Sequence, residues 1–322
     1  EVADAKHTLA GSFFKYFSNL LSQAQYSRAV CGGFARAGLG NRYFHQRPDC
    51  QSLDKADPHH SLSRNRGSAS EWSSILAQDH IKPAIGRFRN DLRLEDQAAL
   101  SAAEAAGATI YPLYVLEDEV AGGRVPGGAS KWWLDKSLKS LRSDISQRGG
   151  KLICRKGEAK AIIADLVKEV EADAVFWGRR YSQPEIDRDA DIKKALKDDG
   201  VEVQSFNTTL LTEPWAYKTT SGGYYKVFTP YWRAVQESYE APDPMQAPER
   251  FAGVGIDSDE IEDWGLHPVS PDWSTGFDSL WTPGEAGARE RLSDFLDGPV
   301  RSYEEMRNRP DVEDGTSGLS PH

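Results

Sequence analysis

Cysteine is scarce in this sequence. Cys31, Cys50 and Cys154 are scattered and odd in number, so they offer neither a disulfide framework nor the paired spacing of a zinc site. Long apolar runs are also missing: nothing approaches the roughly 18 residues that cross a bilayer. The apolar stretch from Phe13 to Leu21 is interrupted by Lys15 and lacks a cleavage site of secretory type. These absences predict a cytoplasmic chain without a membrane partner. A basic excess is lacking too. The net charge of -10 argues against indiscriminate binding to a polyanion and leaves room only for a local basic patch. No GxGxxG follows a strand, and GxxxxGK[ST], HExxH and GxSxG do not occur. A standard dinucleotide fold, a phosphate-loop enzyme, zinc hydrolysis and serine-triad hydrolysis are therefore disfavoured.

What remains divides into four segments. Residues 1–80 hold His7, His45, His59, His60 and His80, are rich in Ser, Arg and Gly, and show no sustained period; they read as an irregular or disordered leader. The pair His59-His60 has no carboxylate or Cys at ligand spacing and reads as solvated loop. Residues 81–206 alternate short apolar runs with amphipathic stretches, the pattern of a parallel α/β sheet. Strands are predicted at Thr109 to Leu116, Lys151 to Arg155, Asp173 to Gly178 and Val201 to Phe206, with a weak first strand at Ile81 to Phe88. Helices are predicted at Asp96 to Ala106, at Ala129 to Arg148 (Leu134, Leu138, Leu141 and Ile145 on one face), across Ile162 to Val170, and at Pro184 to Leu196. Residues 207–280, dominated by Pro, Gly, Asp and aromatics, read as a long surface connector between domains. In residues 281–322 a helical pattern resumes at Glu285, with Ala288, Leu292, Phe295 and Leu296 on one face.

Four motifs follow one another. Phe88 to Leu94 reads FRNDLRL, and its Arg89, Asp91 and Arg93 are expected to form a local ion network at a strand exit. Gly128 to Leu134 reads GASKWWL. Gly178-Arg179-Arg180-Tyr181 precedes Arg188-Asp189, and Tyr225 to Trp232 reads YKVFTPYW. In this order and at these separations the chain, over about residues 85–322, resembles the DNA photolyase/cryptochrome family. A fifth element, Trp281 to Glu285 followed by Tyr303, Arg307-Asn308-Arg309-Pro310 and Thr316 to Ser320, resembles the opening of that family's all-helical FAD-binding domain.

The resemblance implies a five-stranded parallel Rossmann-like antenna domain at 81–206 with helices on both faces. The FAD-binding helical domain would start at 281–322, so the chain is expected to stop just inside it. The implied activity is that of a deoxyribodipyrimidine photo-lyase. An antenna chromophore (methenyltetrahydrofolate or 8-hydroxy-deazaflavin) passes light energy to reduced FAD, whose electron splits a cyclobutane pyrimidine dimer flipped from DNA. A cryptochrome photoreceptor and a non-catalytic antenna-domain product are the alternatives. Tyr303, Thr316, Ser317, Gly318, Leu319 and Ser320 are implied to hold the flavin's phosphates and ribityl chain. Leu116, Glu117, Asp118, Lys131 and Arg179 are candidates for the antenna, near the carboxyl ends of the strands. No metal is implied, and the chain is expected to be monomeric, with its contacts to dimer-containing DNA made by the helical domain.

Departures from the family pattern carry expectations of their own. Gly86 and Arg87 stand where the family has an apolar residue and Trp before Phe-Arg, and Pro83 fits a central strand badly. Ile81 to Phe88 is thus expected to pair poorly, and Arg87→Trp with Gly86→Val to stabilise it. Trp132, Trp133, Trp177, Trp215, Trp232 and Trp281 are expected to be core residues.

Overall fold

The computed structural model describes residues 83–117, 125–312 and 315–320. The leader at 1–80, Asp118 and His322 lie outside the described residues.

The β-branched and aromatic runs of the sequence form five strands: β1 (Pro83–Phe88), β2 (Thr109–Leu116), β3 (Ile153–Lys156), β4 (Ala174–Gly178) and β5 (Glu202–Phe206). They make one parallel sheet in the order β3-β2-β1-β4-β5. Helices α1 (Ala98–Ala105), α2 (Gly128–Gln147), α3 (Ala159–Glu169) and α4 (Gln183–Asp198) connect them. Alternate side chains of each strand feed two separate cores, as a sheet covered on both faces requires. On one face Ala84, Phe88, Tyr114 and Phe176 pack with Leu100 of α1 and Leu138, Leu141 and Ile145 of α2. On the other, Ile85, Leu113, Val175 and Trp177 pack with Ile163 and Leu166 of α3 and Ile192 of α4. Each fully buried side chain of this size contributes about 1.5–3 kcal/mol.

The expectation of a poorly paired β1 is wrong. The strand is central, pairing β2 along its whole length and β4 from Ala84 to Arg87. Pro83 is harmless because it is the first residue of the strand, where a missing N–H is tolerated, while its carbonyl accepts from Asp173 at 3.0 Å. Gly86 is favoured by space: a Cβ there meets Leu100 Cδ2 at 2.9 Å and Ile110 Cγ2 at 3.2 Å. Leu100 of α1 therefore sits directly on the strand, and valine at Gly86 overfills the core.

Helix α1 starts two residues later than its composition suggests. Asp96 sits at φ +49°, outside helical space, and Gln97 is the cap, its side chain accepting from the Ala99 N–H. The segment after β5 carries α5 (Phe228–Ser238) and a 3-10 turn (Ile261–Trp264). It is not purely superficial, since Phe251, Ile261 and Leu266 are buried in the first core. Its backbone hydrogen-bonds to Ile110, Lys151 and Cys154, sealing the β3 side of the sheet.

Helix α6 (Glu285–Asp297) buries Ala288, Leu292 and Phe295, and the four-residue α7 (Tyr303–Met306) follows. The Glu285 carboxylate accepts from the Leu94 N–H at 2.8 Å and the Glu95 N–H at 3.2 Å, tying α6 to the loop that leaves β1.

Candidate functional site

Two charged regions stand out, one at the carboxyl edge of the sheet and one beside α6. At the edge, β1 delivers Arg87 and Arg89, the residue after β2 is Glu117, β4 delivers Trp177, and α4 delivers Arg188, Asp189 and Lys193. Arg89 grips Asp189 through two parallel hydrogen bonds of 2.7 and 2.6 Å. Glu117 accepts from Arg87 at 3.1 Å and from Arg188 at 2.6 Å. Burial alone raises the Asp189 carboxyl, but the hydrogen bonds and charge of Arg89, with Arg188 and Arg87, outweigh it and hold the group below its ordinary value. Arg87 is 3% exposed. Burial and then the like charge of Arg89 lower its guanidinium to about 9, against the pull of Glu117.

The local network expected within FRNDLRL does not form. Arg89 reaches a residue 100 positions away, Asp91 accepts from the Arg89 N–H at 2.9 Å and from Gln97 at 2.8 Å, and Arg93 donates to the carbonyls of Asp96 and Thr208 at 2.8 Å each. An isolated motif cannot reveal such partners, because the register of β1 beside β4 sets them.

Of the antenna candidates, Leu116 ends β2 and Glu117 is held by Arg87 and Arg188. Arg179 is engaged by Glu213, donates to the Ser205 carbonyl at 2.7 Å and stacks on Trp215 at 5.6 Å. Lys131 sits in the first turn of α2. Trp132 and Trp177 are core residues as expected, whereas Trp215 is 46% exposed, and Trp133, Trp232 and Trp281 are only partly buried. Two of these candidates, Glu117 and Arg179, thus sit in ion pairs.

The second region is a pocket of about 380 Å³ lined by Arg291, Arg307, Asn308, Arg309, Pro310 and Thr316, among others. Three guanidiniums line it, one of them, Arg309, paired with Asp311 at 2.6 Å, a donor set that suits a phosphorylated ligand. Thr316 and Ser320 are exposed; Ser317 and Leu319 are buried. The Ser317 carbonyl accepts from Arg291 Nε at 3.1 Å, and its hydroxyl accepts from the Leu319 N–H at 3.3 Å. Gly318 sits at φ +62°, and a Cβ there lies 2.6 Å from Arg291 Nε, so only glycine lets the turn close on the arginine. Leu319 packs with Leu292 and Phe295, and Tyr303 meets Phe295 edge-on at 5.5 Å while Arg307 lies over its ring at 5.8 Å. The structure thus brings Tyr303, Ser317, Gly318 and Leu319 around α6 and sets Thr316 in one pocket with Arg307 and Arg309 of the same sequence run; it adds Arg291, which sequence reasoning missed. Arg307 and Arg309 stand in a conspicuously basic run after Tyr303, whereas Arg291 gives no sign in the sequence.

Comparison with known proteins follows this geometry. The family model described as DNA photolyase matches residues 86–249. A deoxyribodipyrimidine photo-lyase of Agrobacterium fabrum is 43% identical over 242 residues, 74% of this chain and 50% of that protein. Cryptochrome-1 of Arabidopsis thaliana is 33% identical over 243 residues, 73% of this chain and 35% of that protein. The crystal structure of a class III photolyase from Agrobacterium tumefaciens superposes with a TM-score of 0.71 at 42% identity, over 78% of this chain and 52% of that one. The chain spans about half the length of these photolyases.

Proposed function

Because this chain belongs to the DNA photolyase family, we propose that it is the α/β part, with the opening of the flavin site, of a light-driven lyase that repairs cyclobutane pyrimidine dimers in DNA. The observation that carries this reading is the three-arginine pocket beside the Thr316 to Ser320 turn. Its donors fit the pyrophosphate of FAD: Arg307 supplies charge, Arg309 adds to it while paired with Asp311, and Thr316 supplies a hydroxyl. Gly318 keeps the turn's backbone low against Arg291. The chemistry such a cofactor supplies when bound is light-driven one-electron donation. The chain's own contribution is to bind and orient: α6 is anchored to the sheet through Glu285, so the phosphate end of the site stands at a fixed place relative to the antenna domain. The division into a leader at 1–80, an antenna domain at 81–206, a connector at 207–280 and a flavin-domain opening at 281–322 forms part of this proposal.

An antenna pigment fits less well. Glu117 and Arg179 are consumed by ion pairs, so neither serves as its direct polar partner, and no step is assigned to it.

A chimera tests the reading. Residues 83–320 replace the matching part of the Agrobacterium fabrum photolyase, and flavin content and light-dependent loss of dimers from irradiated DNA are measured. Retained flavin with repair is expected, and Arg307→Ala with Thr316→Ala should lower flavin retention. A folded chimera that holds no flavin overturns the flavin site. The 33% identity to an Arabidopsis cryptochrome favours a second reading, a photoreceptor without repair; flavin retained without dimer loss would select it, since fold alone cannot.

A further inference from the structure

The carboxyl edge of the sheet carries an excess of buried donors that its ion pairs do not absorb. Arg87 Nε and Nη1, Arg89 Nε and Trp177 Nε1 are all buried without a hydrogen-bond partner among the described residues. They come from neighbouring positions, for Arg87 and Trp177 are register partners across β1 and β4. The Arg89 guanidinium and the Lys193 ammonium each lie 5.7 Å from the centroid of the Trp177 ring. Every orphan in this group is a donor.

The charge is unbalanced in the same sense. Arg87, Arg89, Arg188 and Lys193 surround two carboxylates, Glu117 and Asp189, a net charge of +2. The adjacent Arg179–Glu213 and Arg180–Glu185 pairs add nothing to it. The buried Arg87 and Arg89 share their two carboxylates with the half-buried Arg188, and each buried orphan donor costs about 1–3 kcal/mol. A water molecule relieves this poorly. It accepts two hydrogen bonds but brings two hydrogens of its own, and the orphans here are all donors. An anion accepts from all sides and donates to none.

We propose that Arg87, Arg89 and Trp177 form a buried site for a small monovalent inorganic anion of halide size, set between β1, β4 and α4. The orphan atoms are shut off from solvent, so the proposed ligand is a small ion and not a bulky organic acid. The anion neutralises half of the excess charge and locks α4 to the sheet edge beside the Arg89–Asp189 pair. This role is independent of the flavin pocket and of the repair reading.

The test is thermal unfolding of the purified full chain in sodium gluconate, whose anion is too bulky to enter, with bromide or chloride exchanged in at constant ionic strength. The midpoint should rise saturably, on the order of 2–4 °C. The rise should vanish in Arg87→Gln and in Trp177→Phe, which keeps a ring but removes the N–H. Should Arg87→Gln fail to fold, Trp177→Phe carries the comparison. A flat or unsaturable response in the parent, or the same response in parent and Trp177→Phe, overturns the site and leaves water as the occupant.

Discussion

Single residues in this fold are fixed by what lies across the sheet. Gly86 is the clearest case: a Cβ there crowds the Leu100 methyl, so Gly86→Val should lower stability in urea melts by about 1–3 kcal/mol through overpacking. The reverse result would mean that α1 lifts easily from β1. Asp189 gives a pH signature. Its carboxyl is held below the ordinary range, so the stability it contributes is fully present above the unfolded value and is lost as pH falls through the folded one. Melts of the parent should therefore steepen below about pH 4, and Asp189→Asn should cost about 3–5 kcal/mol at neutral pH while flattening that acid limb. Cys154 is 1% exposed, and burial pushes its thiol up to about 12. Mass-spectrometric mapping after alkylation should find it modified only when urea is present. Labelling in the folded protein would show that β3 opens.

At the scale of elements, periodicity made most of the sheet and its helices legible. Leu134, Leu138, Leu141 and Ile145 announced α2, and the β2 run TIYPLYVL announced itself by composition. What stayed hidden was everything decided between elements. The charge of Arg87 counted against β1 as a central strand because Glu117 and α4 are invisible from within the strand. The Phe251, Ile261 and Leu266 contacts of the segment after β5 were hidden because isolated apolar residues among Pro and Asp carry no period. The residues proposed for the flavin phosphates are legible as a motif only, Arg307 and Arg309 as part of the same run, and Arg291 gives no sign there. Helix α6 offers a test of such coupling. Glu285→Ala removes the acceptor for the Leu94 and Glu95 N–H groups, so hydrogen exchange should accelerate at both amides and along α6. An unchanged rate would mean that the apolar face of α6 holds it alone.

For the whole molecule, the proposed flavin site is one-sided. The described residues supply an arginine-lined pocket, and the chain covers half the length of its photolyase relatives. Purified alone, it should show no stoichiometric flavin band in its absorption spectrum; a full band would mean that these residues bind the ring system as well. The sheet order also has a consequence for synthesis. Strand β1 leaves the ribosome first, gains β2 soon afterwards, and waits for β4, since Ala84 pairs with Ala174. At about 5–20 residues per second that wait lasts on the order of 5–20 s, during which one apolar edge of the nascent sheet is open to pairing with any other chain. The guanidinium of Arg87, which looks misplaced in the finished sheet, is during that interval the one charge on the strand, a gatekeeper against aggregation on the ribosome.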